Sequence, residues 1–189
     1  MNIINTEFPG LMIIEPKVFG DARGYFFESY NEKVMADTGI KTVFRQDNQS
    51  FSTYGVIRGL HFQHNPYSQT KLIRVVEGKI FDVALDLRKE SKTFGKWFGV
   101  ELSAENKRQL YIPQGFAHGF SVLSEQAAIL YKCDNFYNPH VEGGVLYNDP
   151  ELGIDWKVDA AKATISDKDK KWPTFGQIKS DFYQEPVLY

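Results

Sequence analysis

Gly55-Val-Ile-Arg58-Gly-Leu-His61-Phe-Gln63, followed by Lys71 and Gly78, is the stretch that decides the fold. It sets an arginine, a histidine and a lysine into apolar segments of β character, punctuated by glycines. Pro113-Gln-Gly115-Phe-Ala-His118 echoes it downstream. Around the first stretch, Glu77-Gly78 separates Lys71–Val76 from Lys79–Leu87 and predicts a hairpin. Phe81, Val83, Leu85 and Leu87 alternate with Asp82, Ala84 and Asp86, the period-two signature of a half-buried strand. That alternation assigns both aspartates to a solvated outer face. Further strands are predicted at 11–14, 25–30, 43–49, 55–63, 96–102, 109–112, 117–122, 127–134 and 163–166. A helix capped by Asn31 and ended by Gly39 is predicted in the first half. Turn signals recur roughly every 8–12 residues, the rhythm of a sandwich or barrel. The reading is all-β, a jelly roll, in one domain over residues 1–189 with N-terminal strands and an irregular, weakly helical C-terminal tail.

Composition bounds the function. The chain has 189 residues, 42% hydrophobic and 24% charged, with a net charge of −2. No general basic surface argues for nucleic acid, so any anion must be held by local positive charge. The N-terminus has no basic segment leading into an apolar run, and no stretch approaches the ~20 apolar residues of a membrane helix. Cys133 is the single cysteine, so no internal disulfide forms and the cytoplasm is the expected compartment.

The spacing Gly55-x5-His61-x-Gln63 and Lys71-x6-Gly78 resembles the first cupin motif, and Pro113-x-Gly115-x2-His118 resembles the second. Metal-binding cupins present three histidines and a carboxylate. Here Gln63 holds the second histidine position and Lys71 the glutamate position. An ammonium has no lone pair to offer and repels a dication. The sequence therefore predicts no metal and opposes a metal-dependent oxygenase.

His61 and Lys71 suit proton chemistry instead. A histidine titrates near neutrality and can take and return a proton. A neighbouring ammonium stabilises an oxyanion as charge develops. Such a pair can remove a proton α to a ketone, and inversion then needs an acid on the opposite face. A tyrosine fits, because its phenol stays protonated at pH 7. Tyr131 and Tyr137 share a face if their strand continues that far.

Arg23-Gly-Tyr-Phe-Phe-Glu28, Gln46-Asp-Asn48, Arg58-Gly-Leu-His61, Lys71-Leu-Ile-Arg, Tyr111-Ile-Pro-Gln-Gly-Phe-Ala-His118, Tyr131-Lys, Tyr137-Asn-Pro, Asn148-Asp-Pro and Ser166-Asp-Lys-Asp169 follow in this order. In this the chain resembles the dTDP-4-dehydrorhamnose 3,5-epimerases from about Phe8 to Asp169. The resemblance implies a cofactor-free enzyme acting on a dTDP-sugar. His61 would be the base at C5 and C3, paired with Asp169 rather than the nearby Asp167. Lys71 would stabilise the C4 enolate, Tyr131 would be the acid, and Tyr137 would line the sugar pocket. Arg58, His118 and Arg23 would hold the diphosphate. Glu28, Gln46 and Asn48 would contact nucleotide or sugar, and Phe19 and Phe26 the thymine. It also implies a homodimer with exchanged N-terminal strands.

Bland readings stand beside these. His118 could brace a strand, the arginines could be surface ion pairs, and Tyr137 could only pack. Cys133 reads as packing, and His64 and His140 receive no role. Related activities remain open on the same motifs, above all epimerisation at C5 or C3 alone. A 3,4-ketoisomerase is more remote, and a non-catalytic sugar-nucleotide binding module would not need His61 and Tyr131 together.

Overall fold

The computed structural model describes residues 1–183; the end of the predicted tail lies outside them. Fourteen strands follow one another: β1 (Asn2–Asn5), β2 (Met12–Glu15), β3 (Phe19–Asp21), β4 (Gly24–Phe26), β5 (Gln46–Thr53), β6 (Val56–Gln63), β7 (Lys71–Glu77), β8 (Lys79–Asp86), β9 (Trp97–Ser103), β10 (Gln109–Ile112), β11 (Phe116–Val122), β12 (Gln126–Cys133), β13 (Glu142–Gly144) and β14 (Thr164–Ile165). The one α-helix among them, α1 (Glu32–Asp37), starts at the predicted cap, where the Asn31 side chain accepts from Val34 N. Its Met35 is buried against Ile14, Leu72 and Tyr111, which stabilises the helix on the sheet by about 2 kcal/mol.

Two sheets form the jelly roll. One has the order β1-β2-β10-β7-β12-β5; the other has β13-β6-β11-β8-β9, with β14 added parallel to β6. From β5 to β8 the chain changes sheet at every turn. The predicted hairpin at Glu77-Gly78 is therefore not one. β7 pairs with β10 and β12, whereas β8 pairs with β11 and β9. Gly78 carries the chain across the edge of the sandwich at φ +74°, where a Cβ would lie 1.9 Å from Gln126 O. A short glycine turn between two apolar runs is the same signal for a hairpin and for a sheet-to-sheet corner, and only long-range pairing distinguishes them.

The faces of β8 are the reverse of those its alternation predicts. Asp82 and Asp86 are fully buried. Ile80 and Ala84 point between the sheets with Ile73, Leu110, Phe120 and Ile129, so Asp82 points there too. Val83, Leu85 and Leu87 face outward but are covered by Leu152, Trp156 and Phe182 from the C-terminal segment. Both faces of β8 are buried, and its aspartates are retained because they have partners. Asp86 accepts from Arg88, Ser91 and Thr93.

Other elements shift modestly. The strand expected at 25–30 stops at Phe26, and that expected at 43–49 runs Gln46–Thr53. The β3–β4 hairpin, read as a loop, stands apart from both sheets. Short 3-10 turns at Ala160–Lys162, Asp169–Lys171 and Phe175–Gln177 make up the weakly helical segment. Among the described residues no helix is long and apolar enough to cross a membrane.

Candidate active site

Period-two geometry places the site between the sheets. On β7, Ile73 and Val75 enter the inter-sheet core, and two residues earlier Lys71 points the same way. On β12, Ala127 and Ile129 do likewise, with Tyr131 packed against them. His61 comes from β6 in the opposite sheet, directly across from His118 of β11. Base and acid candidates thus project from facing sheets. His61, Lys71, Tyr131, Tyr137, Gln46 and Asn48 line one cleft of about 300 Å³.

Asp169 closes the site from behind. His61 Nε2 lies 2.6 Å from Asp169 Oδ1, and Gly59 N donates to Oδ2 at 3.2 Å. Trp172 Nε1 donates to Oδ1 at 3.3 Å. Burial alone would push the carboxyl pKa up, but the bonds from His61, Gly59 and Trp172 outweigh it and hold the value below the ordinary range. With Nε2 facing the carboxylate, Nε2 carries the proton and Nδ1 is free to accept. Asp167, the neighbouring candidate, is exposed beside Lys170.

Three further groups set the electrostatics. Desolvation lowers the Lys71 pKa, opposed by Cys133, Asp82 and Glu142. Burial raises the Tyr131 pKa, with Cys133 adding to the rise and Arg58 opposing it. A phenol in that state holds its proton at neutral pH. Burial also pushes the Cys133 thiol up to about 11, which keeps it inert beside Lys71.

His118 is buried, and its Nε2 meets Asp82 Oδ1 at 2.7 Å. Desolvation lowers its pKa; Asp82 opposes this, and Lys71 and His61 reinforce it. The second Asp82 oxygen is buried and has no hydrogen-bond partner among the described residues. Arg58 donates to Ser52 Oγ at 3.0 Å and to Phe51 O at 3.3 Å. Gln63, at the would-be metal position, braces the loop that carries Tyr137, donating to Phe136 O and accepting from Asn138 N.

Tyr137 does not extend the β12 strand, which ends at Cys133, yet its loop returns it to the cleft. Gln46 Oε1 holds it there by accepting from Tyr137 N. Its hydroxyl donates to Glu142 Oε2 at 3.0 Å, and Lys168 Nζ reaches the same oxygen. Sequence reasoning missed Glu142 because a three-residue strand ending in two glycines carries no readable pattern. Phe19, Arg23, Phe26 and Glu28 do not line the cleft, and neither do Arg58 of β6 and His118 of β11. The first three lie on the exposed β3–β4 hairpin, where Arg23 pairs with Asp21, and Glu28 accepts from Asn31.

A family profile described as dTDP-4-dehydrorhamnose 3,5-epimerase matches residues 5–177. The chain belongs to that family. It is 54% identical over 184 residues to the dTDP-4-dehydrorhamnose 3,5-epimerase of Shigella flexneri, covering 97% of this chain and 99% of that one. The crystal structure of dTDP-4-dehydrorhamnose 3,5-epimerase from Elizabethkingia anophelis NUHP1 superimposes with TM-score 0.89 at 54% identity, over 93% of this chain and 97% of that one. A Legionella pneumophila Philadelphia 1 dTDP-6-deoxy-D-glucose-3,5-epimerase in complex with dTDP-4-keto-L-rhamnose gives TM-score 0.92 at 48% identity, covering 97% and 99%. The protein is accordingly an isomerase, an epimerase of sugar nucleotides on a cupin-type jelly roll.

Proposed function

We propose that the protein converts dTDP-4-dehydro-6-deoxy-D-glucose to dTDP-4-dehydro-L-rhamnose by inverting C5 and C3, without a cofactor. The observation that carries this is the His61–Asp169 pair opening on a cleft that Lys71 and Tyr131 also line. The sugar sits between the sheets. His61 Nδ1 takes the C5 proton as the C–H electrons move into a C4–C5 double bond and the C4 oxygen becomes an enolate. The Lys71 ammonium stabilises that oxyanion. Tyr131, on the facing sheet, donates its hydroxyl proton to C5 from the other side, and the enolate collapses back to the ketone. Proton exchange with water resets both groups, and C3 follows by the same steps.

Arg58 has no carboxylate partner among the described residues and takes the diphosphate. His118, with Nε2 given to Asp82, offers Nδ1 to the proximal phosphate or sugar. Gln46, Asn48 and Tyr137 complete the sugar pocket. Phe19 and Phe26 are 54% and 68% exposed, an unusual display of aromatic surface for a free subunit. We assign their hairpin, with Arg23 and Glu28, to the nucleotide site of a second subunit in a homodimer. The acting unit is one domain over residues 1–189, and its single thiol suits a reducing cytoplasm.

The test is incubation with the substrate in D2O, without added metal or nicotinamide. Deuterium at both C3 and C5 is expected. Label at one carbon would make this a single-site epimerase; no label would sink the catalytic reading of His61.

A further inference from the structure

All three tryptophans donate their indole N–H, but to different acceptors. Trp97 donates to Leu152 O at 2.9 Å and Trp156 to Tyr147 O at 2.8 Å, both backbone carbonyls. Trp172 donates instead to Asp169 Oδ1, the oxygen that also meets His61 Nε2. The Trp172 ring meets the His61 imidazole edge-on, with centroids 6.3 Å apart and planes at 68°. One side chain therefore touches both members of the dyad.

The backbone keeps the indole there. Gly144 of β13 lies opposite His61 in register, and a Cβ on it would come within 2.4 Å of the Trp172 ring carbons. Only a bare backbone leaves room for the ring. The Pro173 carbonyl, next in the chain, accepts from Leu146 N at 2.8 Å. Lys168 Nζ caps the ring at 5.6 Å.

A donor on a carboxylate stabilises its charge and weakens its hold on any shared proton. Building on the epimerase reading above, we propose that Trp172 is a positioning residue that sets the basicity of His61. It does so by sharing the charge on Asp169 Oδ1 and fixing the imidazole plane. It does not touch the substrate. The groups facing His61 are Asp169 behind it, Lys71 from β7, His118 from β11, Tyr131 from β12 and Glu142 from β13, with Tyr137 across the cleft and Lys168 beyond the indole. Among the described residues only Asp169 hydrogen-bonds the imidazole, so a change at Asp169 reaches His61 directly.

The test replaces Trp172 in the full chain by Phe and, separately, by its benzothiophene isostere, which keeps the bicyclic shape with sulfur in place of N–H. His61 is titrated by NMR in the resting enzyme, its signal assigned with His61→Asn. The pH profile of deuterium incorporation is measured in parallel. With the donor lost, the imidazole should protonate at higher pH, its midpoint rising by about half a unit. The acid limb of the rate profile should move with it. A midpoint that stays in place, whatever the rate does, would overturn the proposal and leave Trp172 as packing. If Trp172→Phe fails to fold, the isostere carries the test. If the wild type incorporates no deuterium, the epimerase reading fails, while the NMR midpoint still decides the coupling.

Discussion

His61 and Asp169 are 108 residues apart in sequence, yet Nε2 and Oδ1 stand 2.6 Å apart. The contact is made by a 3-10 turn at the end of a long C-terminal excursion. That turn delivers a carboxylate 3% exposed to the back of a half-exposed imidazole. Such a carboxylate fixes the tautomer and stabilises the imidazolium. Asp169→Asn should retain the fold and lower kcat/KM about a thousandfold, by analogy with other His–carboxylate pairs. Steady-state kinetics with a circular-dichroism control checks this; a loss below about tenfold would leave Asp169 a bystander.

Tyr131 and His61 project from facing sheets, so removal and return of the proton can occur on opposite sides of one carbon. Tyr131→Phe should therefore separate exchange from inversion. Deuterium should still enter C5 through His61, with retained configuration, while the inverted product forms about 10²–10⁴ times more slowly. Loss of both processes in parallel would mean that Tyr131 acts before the enolate forms.

Lys71 is desolvated and points into the cleft from β7. Lys71→Met keeps the length of the side chain and removes the charge. Exchange at both carbons should fall together by about 10²–10³, the usual worth of one oxyanion donor. An equal rate with a raised KM would instead assign Lys71 to ground-state binding.

Much of this was legible before the structure. The Asn31 cap, the strands at 55–63 and 109–112, and the pairing of His61 with Lys71 follow from local pattern and spacing, whereas the choice of Tyr131 over Tyr137 comes from the family resemblance. What was not legible depends on distance across the fold. The Glu77-Gly78 corner has the local chemistry of a hairpin, and only the pairing of β7 with β12 reveals otherwise. The faces of β8 were inverted because alternation shows that two faces differ, not which one meets the core. Here the C-terminal segment covers the apolar face, and Asp82 finds His118 inside. Glu142 and Trp172 enter through segments too short for any periodicity.

Asp86 gives a prediction about stability rather than catalysis. It is fully buried; desolvation pushes its pKa up, and bonds from Arg88, Ser91 and Thr93 more than reverse this, leaving it below its ordinary value. A carboxyl depressed by folding contributes stability that is present above its unfolded pKa and lost as pH falls through the folded one. The contribution should thus be intact at neutral pH and fade below about pH 4. Asp86→Asn leaves the Arg88 guanidinium buried without its counter-charge and should cost about 3–5 kcal/mol at pH 7. Urea denaturation at pH 7 and at pH 4 checks both parts. The gap between wild type and variant should hold at pH 7 and begin to narrow toward acid. A gap that widened there would mean that folding raises the Asp86 pKa instead of lowering it, and a gap under about 1 kcal/mol at pH 7 would show that Arg88 is satisfied by Pro9 O, its other acceptor at 2.9 Å.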